Sequence, residues 1–139
     1  MYHEELDVKL MHEDTLIEGK LDLYEEAPDD REQVLVELSF CDKVISKMDN
    51  NYFEALQQLR VELEKVNIQI LCNGAAKNVY PSTMQMSMGS CRTAYILSHG
   101  RQAKSADIVD IFGCLDSLVF VSVAEQKAFY DVWIERFTK

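Results

Sequence analysis

Apolar and polar positions alternate along the first part of the chain. Leu6, Val8 and Leu10 interleave with Glu5, Asp7 and Lys9, the period-two pattern of a strand with one wet face. Ile17, Gly19, Leu21 and Leu23 repeat it against Glu18, Lys20 and Asp22, and the Glu13-Asp14-Thr15 stretch between the two segments suits a hairpin turn. Beyond the turn signal Ala27-Pro28-Asp29-Asp30, Val34, Val36, Leu38 and Phe40 mark a third strand. The three segments predict an antiparallel meander with an acidic outer face.

The period then changes. Asn51 with Glu54 is a capping-box pattern, and Tyr52, Leu56, Leu59, Leu63 and Val66 form one stripe, predicting a helix near residues 51–66. Ile68 to Cys72 reads as a short strand. Asn73-Gly74, Tyr80-Pro81-Ser82 and Gly89-Ser90 break the next stretch. Within it, Met84, Met86 and Met88 alternate with Gln85 and Ser87 as on a half-buried extended segment. Thr93 to Leu97 is another strand, closed by His99-Gly100, and Ser105 to Phe112 fits either a short helix or an extended piece. Leu118 to Val121 is a continuous apolar run, expected as a central buried strand. Ser122 with Glu125 caps a last helix near residues 122–137, with Phe129, Val132, Trp133 and Phe137 facing inward. The order β-β-β-α-β-β-β-α predicts an α+β fold, a mostly antiparallel sheet with two main helices packed on one face. A chain of 139 residues is expected to form a single domain over residues 1–139.

Charge changes this picture by dividing the chain. Residues 1–40 hold thirteen Asp and Glu against Lys9, Lys20 and Arg31, which accounts for the whole net charge of −10. Residues 41–139 are balanced, with no acid between Glu64 and Asp107. Phosphate repulsion disfavours nucleic acid on the acidic part, whereas a cationic protein partner fits it. Asp7, Glu18, Asp22 and Glu37 occupy the polar phase of the three predicted strands and are the candidate partner-binding residues. No apolar run approaches the roughly 18 residues of a membrane span, and the acidic start is not a secretory signal, so a cytoplasmic protein is expected.

Candidate chemistry is sparse. The four cysteines, Cys41, Cys72, Cys91 and Cys114, are spaced too widely for zinc-ligand pairs and are expected to be reduced. Neither a metal nor any other cofactor is expected, and no catalytic residues are assigned. Cys72, or Cys91 beside Arg92, with His99 as base is a nucleophilic arrangement that competes with plain packing of the thiols. The loop Asn73-Gly74-Ala75-Ala76-Lys77-Asn78 has small residues that let amides converge, with Lys77 as a cation. It supports an alternative, in which residues 72–104 of a small enzyme or ligand-binding domain hold an anionic small molecule through Asn73, Lys77 and Arg92.

The stretch from Cys72 to Phe112 reads C-N-G-A-A-K-N-V-Y-P-S-T-M, then R-T-A-Y-I-L, then A-D-I-V-D-I-F. It resembles a segment of small uncharacterised bacterial proteins associated with the immunity proteins of polymorphic toxin systems. The resemblance covers under a third of the chain and carries over no functional residue. It implies a bacterial, cytosolic protein that binds and neutralises a toxin domain, and the leading expectation is a non-enzymatic protein-binding domain.

Overall fold

The computed structural model describes residues 3–87, 89–98 and 100–138, the side chains of Phe137 and Thr138 excepted. Four strands open it: β1 (His3–His12), β2 (Thr15–Tyr24), β3 (Val34–Phe40) and β4 (Lys43–Asp49). Helix α1 (Tyr52–Glu64) follows, then β5 (Ile68–Ile70), which returns to pair with β1. The resulting antiparallel sheet has the order β4-β3-β2-β1-β5. A second antiparallel sheet, β6-β7-β8, comprises β6 (Val79–Tyr80), β7 (Thr93–Ile96) and β8 (Ile108–Asp110). Helix α2 (Thr83–Ser87) lies between β6 and β7, and α3 (Val123–Thr138) ends the chain. The class is α+β, as the sequence pattern predicts.

The inward phase of the meander matches the apolar positions. Leu10, Leu21, Leu23, Val36 and Leu38 are fully buried, and Leu56, Leu59 and Leu63 of α1 close over them. The Asn51 side chain caps α1 by accepting from the Glu54 amide at 2.9 Å. The stripe stops at Leu63, because α1 ends at Glu64 and Val66 lies exposed beyond it.

Four segments depart from the sequence expectation. Strand β4 has no counterpart among the elements the sequence pattern predicts. It joins β3 through a two-residue turn, Cys41-Asp42, in which both residues adopt left-handed backbone with no glycine to signal it. The methionine segment is helical, not extended. Ser82 and Gln85 cap α2 reciprocally, with amide bonds of 2.8 and 3.0 Å, leaving Met84 exposed and Met86 against the core; Met88 lies outside the described residues. Leu118–Val121 is no central strand. Phe120 makes a single bridge to Ala76, and Val119 is 64% exposed. On α3, Val132 faces solvent and Phe129 and Trp133 are half-buried; the Phe137 side chain lies outside those described, and among the described side chains of α3 the fully buried one is the polar Gln126.

Gln126 belongs to a polar node beneath the central loop. Arg60 is 2% exposed and donates to neutral oxygens only: Gln57 Oε1 at 2.7 Å, Gln126 Oε1 at 2.6 Å, Val121 O at 2.6 Å, and Gly74 O and Ala75 O more weakly. The Gln126 amide nitrogen lies 2.8–2.9 Å from the carbonyls of Gly74, Ala76 and Val79. A loop crossing the interior leaves carbonyls that water cannot reach, and these two side chains satisfy them. A phenylalanine at position 126 would strip Val79 O of its Gln126 bond and leave Gly74 O and Ala76 O only the longer bonds, both 3.3 Å, from Arg60 and the Val79 amide, which explains why the inward face of α3 is not wholly apolar.

Candidate functional site

Strand pairing decides how charges group on the outer face of the large sheet. The pleat turns His3, Glu5, Asp7 and Lys9 outward on β1, with Glu18, Lys20, Asp22 and Tyr24 on β2 and Glu37 on β3. The structure therefore places Asp7, Glu18, Asp22 and Glu37 on one face. Register then separates them. Asp7 sits opposite Lys20 and Glu18 opposite Lys9, so that half of the face alternates in sign. Glu5, Asp22 and Glu37 instead run across three adjacent strands as one row, continued by Ser46 of β4. Directly opposed like charges destabilise a strand pair, so the row is not what stability alone would select.

Local partners define the row. Ser46 donates to Glu37 Oε2 at 2.8 Å, and Lys20 Nζ approaches Glu5 only to 3.9 Å. The His3 ring stacks on Tyr24 with centroids 4.4 Å apart and planes 7° apart, and its Nε2 lies 2.9 Å from Asp22 Oδ1. The Tyr24 phenol is pushed above its usual range by desolvation and by the negative charges of Asp22, Glu37 and Glu5. Asp7 and Glu18 also border open recesses of about 570 and 690 Å³ at the end of the meander.

Sequence reasoning missed Glu5 as a member of the row, although its phase matches that of Asp7. It also missed His3 and Tyr24. The available signal was the alternation itself, which extends to His3; the pairing of Glu5 with Asp22 depends on register.

Asn73, Lys77 and Arg92 are not brought together. Asn73 is buried, donates to Asp110 O at 3.0 Å and accepts from the Leu115 amide at 2.9 Å. The loop amides are already spent: those of residues 73, 74, 75, 76, 77 and 79 all donate to protein carbonyls. Lys77 lies over the Phe129 ring of α3 at 6.0 Å. Arg92 bonds Glu4 through both terminal nitrogens at 2.8 and 3.2 Å, and Asp110 through Nε at 2.9 Å. Its pKa is pushed up by the Glu4 bond, against desolvation and with help from Asp110. Arg92 thereby ties β1 to the second sheet.

The buried thiols are poor nucleophiles. Burial pushes Cys72 up to about 12, although Arg60 and the amides of Gly74 and Ala75 oppose the rise. Burial also pushes Cys91 up to about 11, with Glu54 adding to it, so the neighbouring Arg92 does not activate this thiol. His99 lies outside the described residues. No described helix is long and apolar enough to cross a membrane. Neither a protein-family profile nor a curated protein matches the sequence.

Proposed function

We propose that this chain is a non-enzymatic protein-binding domain, a cytoplasmic bacterial immunity protein whose acidic sheet face covers a cationic surface of a toxin domain. The observation that carries the reading is the Glu5–Asp22–Glu37 row, which crosses three hydrogen-bonded strands with no cation directly opposite any of its members. A five-strand sheet holds the row rigidly, so little conformational freedom is lost on docking. Clustered charge of one sign raises the encounter rate with an oppositely charged partner and disfavours like-charged ones. The resemblance of residues 72–112 to immunity-associated proteins supplies the partner class.

The test uses a toxin domain found encoded next to this gene, where the proposal requires one. Association is measured by stopped flow at low and high salt for wild type and for the triple variant Glu5→Gln, Asp22→Asn, Glu37→Gln. Wild type should associate about tenfold or more faster at low salt, with most of the difference lost as salt screens the face. Equal rates for the two proteins at low salt, with wild-type affinity retained, would remove the row from the mechanism. Absence of any complex with wild type would overturn the immunity reading itself.

A further inference from the structure

Pairing of β1 with β2 brings together three side chains that are scattered in sequence. The ligand atoms of His3, Glu5 and Asp22 all lie within 4.8 Å of one another, the one such set of potential metal ligands among the described residues. His3 and Glu5 are two apart on β1 and so share a face, and Asp22 is the cross-strand neighbour of Glu5. The set is mixed, which separates it from a mere acidic patch. Carboxylates alone suit hard cations held largely by oxygen, whereas an imidazole nitrogen favours zinc and its transition-metal neighbours.

The imidazole is also preset. Stacking on Tyr24 fixes its ring plane, and Nε2 already points to the Asp22 carboxylate at 2.9 Å. Glu37 lies across from Asp22 on the other side and adds a third carboxylate nearby.

We propose that His3 Nε2 and one oxygen each from Glu5 and Asp22 form a surface site for a divalent transition cation of the zinc type, with water as the fourth ligand. Zinc binds imidazole and carboxylate at about 2.0–2.2 Å, and three protein ligands plus water complete its tetrahedron. Donor atoms no more than 4.8 Å apart reach that geometry by small side-chain rotations, the metal replacing the His3–Asp22 hydrogen bond. The cation would offset two of the three formal negative charges in the Glu5–Asp22–Glu37 row. In the presence of zinc, the face would therefore attract a cationic partner less strongly. The site itself does not depend on that partner.

The experiment is isothermal titration of the full chain with zinc chloride, alone and without partner. One zinc per chain is expected, with His3→Gln and Asp22→Asn each weakening binding at least tenfold while far-UV circular dichroism stays unchanged. His12→Gln, of opposite strand phase, and the double variant Cys41→Ser, Cys114→Ser should bind as wild type. Calcium should bind at least tenfold more weakly than zinc, and cobalt substituted for zinc should show the visible absorption of a tetrahedral site, lost in His3→Gln. No zinc uptake, wild-type uptake by His3→Gln, loss of uptake in the cysteine double variant, or calcium binding as tight as zinc would each overturn the assignment.

Discussion

Replacing Arg60 with methionine keeps an unbranched apolar stem but removes the guanidinium and with it every Arg60 donor at the centre of the polar node. The consequences differ among the acceptors. Gly74 O keeps the Gln126 amide at 2.8 Å, Ala75 O keeps the Val121 amide at 3.2 Å, and Gln126 Oε1 keeps Gln57 Nε2 at 2.9 Å. Val121 O and Gln57 Oε1 lose the short bonds of 2.6 and 2.7 Å by which Arg60 holds them. Each stranded acceptor costs about 1–3 kcal/mol. Part of that is offset because a desolvated cation disappears, and burial already lowers the Arg60 pKa. Its Nε also finds no acceptor. The net loss should be about 2–4 kcal/mol, a fall in Tm of roughly 6–15 °C for a domain of this size. Differential scanning calorimetry measures it. A double-mutant cycle with Gln126→Met should show coupling of about 1–2 kcal/mol, since both residues serve one set of carbonyls. A Tm within about 2 °C of wild type, or strictly additive losses, would refute the view that the node acts as a unit.

Three further outcomes follow from particular contacts. Gly74→Ala places a Cβ 2.6 Å from Leu56 Cδ2 and 3.1 Å from Ile111 Cβ, so chemical denaturation should reveal a loss of about 1–3 kcal/mol; wild-type stability would show that this junction yields freely. Asn51→Ala removes the buried cap of α1 and should lower stability by about 1–2 kcal/mol in the same assay, whereas Asn51→Asp should retain most of it. At pH 8, iodoacetamide followed by mass spectrometry should label exposed Cys41 and Cys114 quickly. Buried Cys72 and Cys91, pushed up to about 12 and about 11, should react only after unfolding; rapid labelling of either would contradict the burial that raises them.

Strands whose two faces differ were legible in the sequence. Val8, Leu10, Leu21, Leu23, Val36 and Leu38 carry a clean period of two because one side meets the core and the other meets water. Strand β4 carries a weaker signal. It lies at the sheet edge, its Val44 is 62% exposed, and its Lys47 turns back to pair with Glu62 of α1. The acidic face was legible in phase but not in grouping. Whether Asp22 meets a lysine or another acid depends on its opposition to Glu37, which no local pattern encodes. The methionine helix was within reach, since Ser82 and Gln85 spell a capping box that outranks the alternation of three thioethers. Gln126 was not, because its role is set by carbonyls some fifty residues away in the chain.

The edge position of β4 also bears on how this sheet avoids polymerising. An unpaired strand margin is a template on which another chain could extend the sheet. Here α1 reaches over that margin: Gln58 donates to the Met48 carbonyl at 3.1 Å and also bonds the Asp49 carboxylate, while Lys47 is drawn to Glu62 at 3.3 Å. A strand approaching from outside would have to displace these contacts before it could add to the ladder, and would meet the exposed Lys43 at the entry to β4. The β4 margin is thus guarded against strand addition. Removing the guard by Gln58→Ala together with Lys47→Ala would bare the margin and favour edge-to-edge assembly into larger particles.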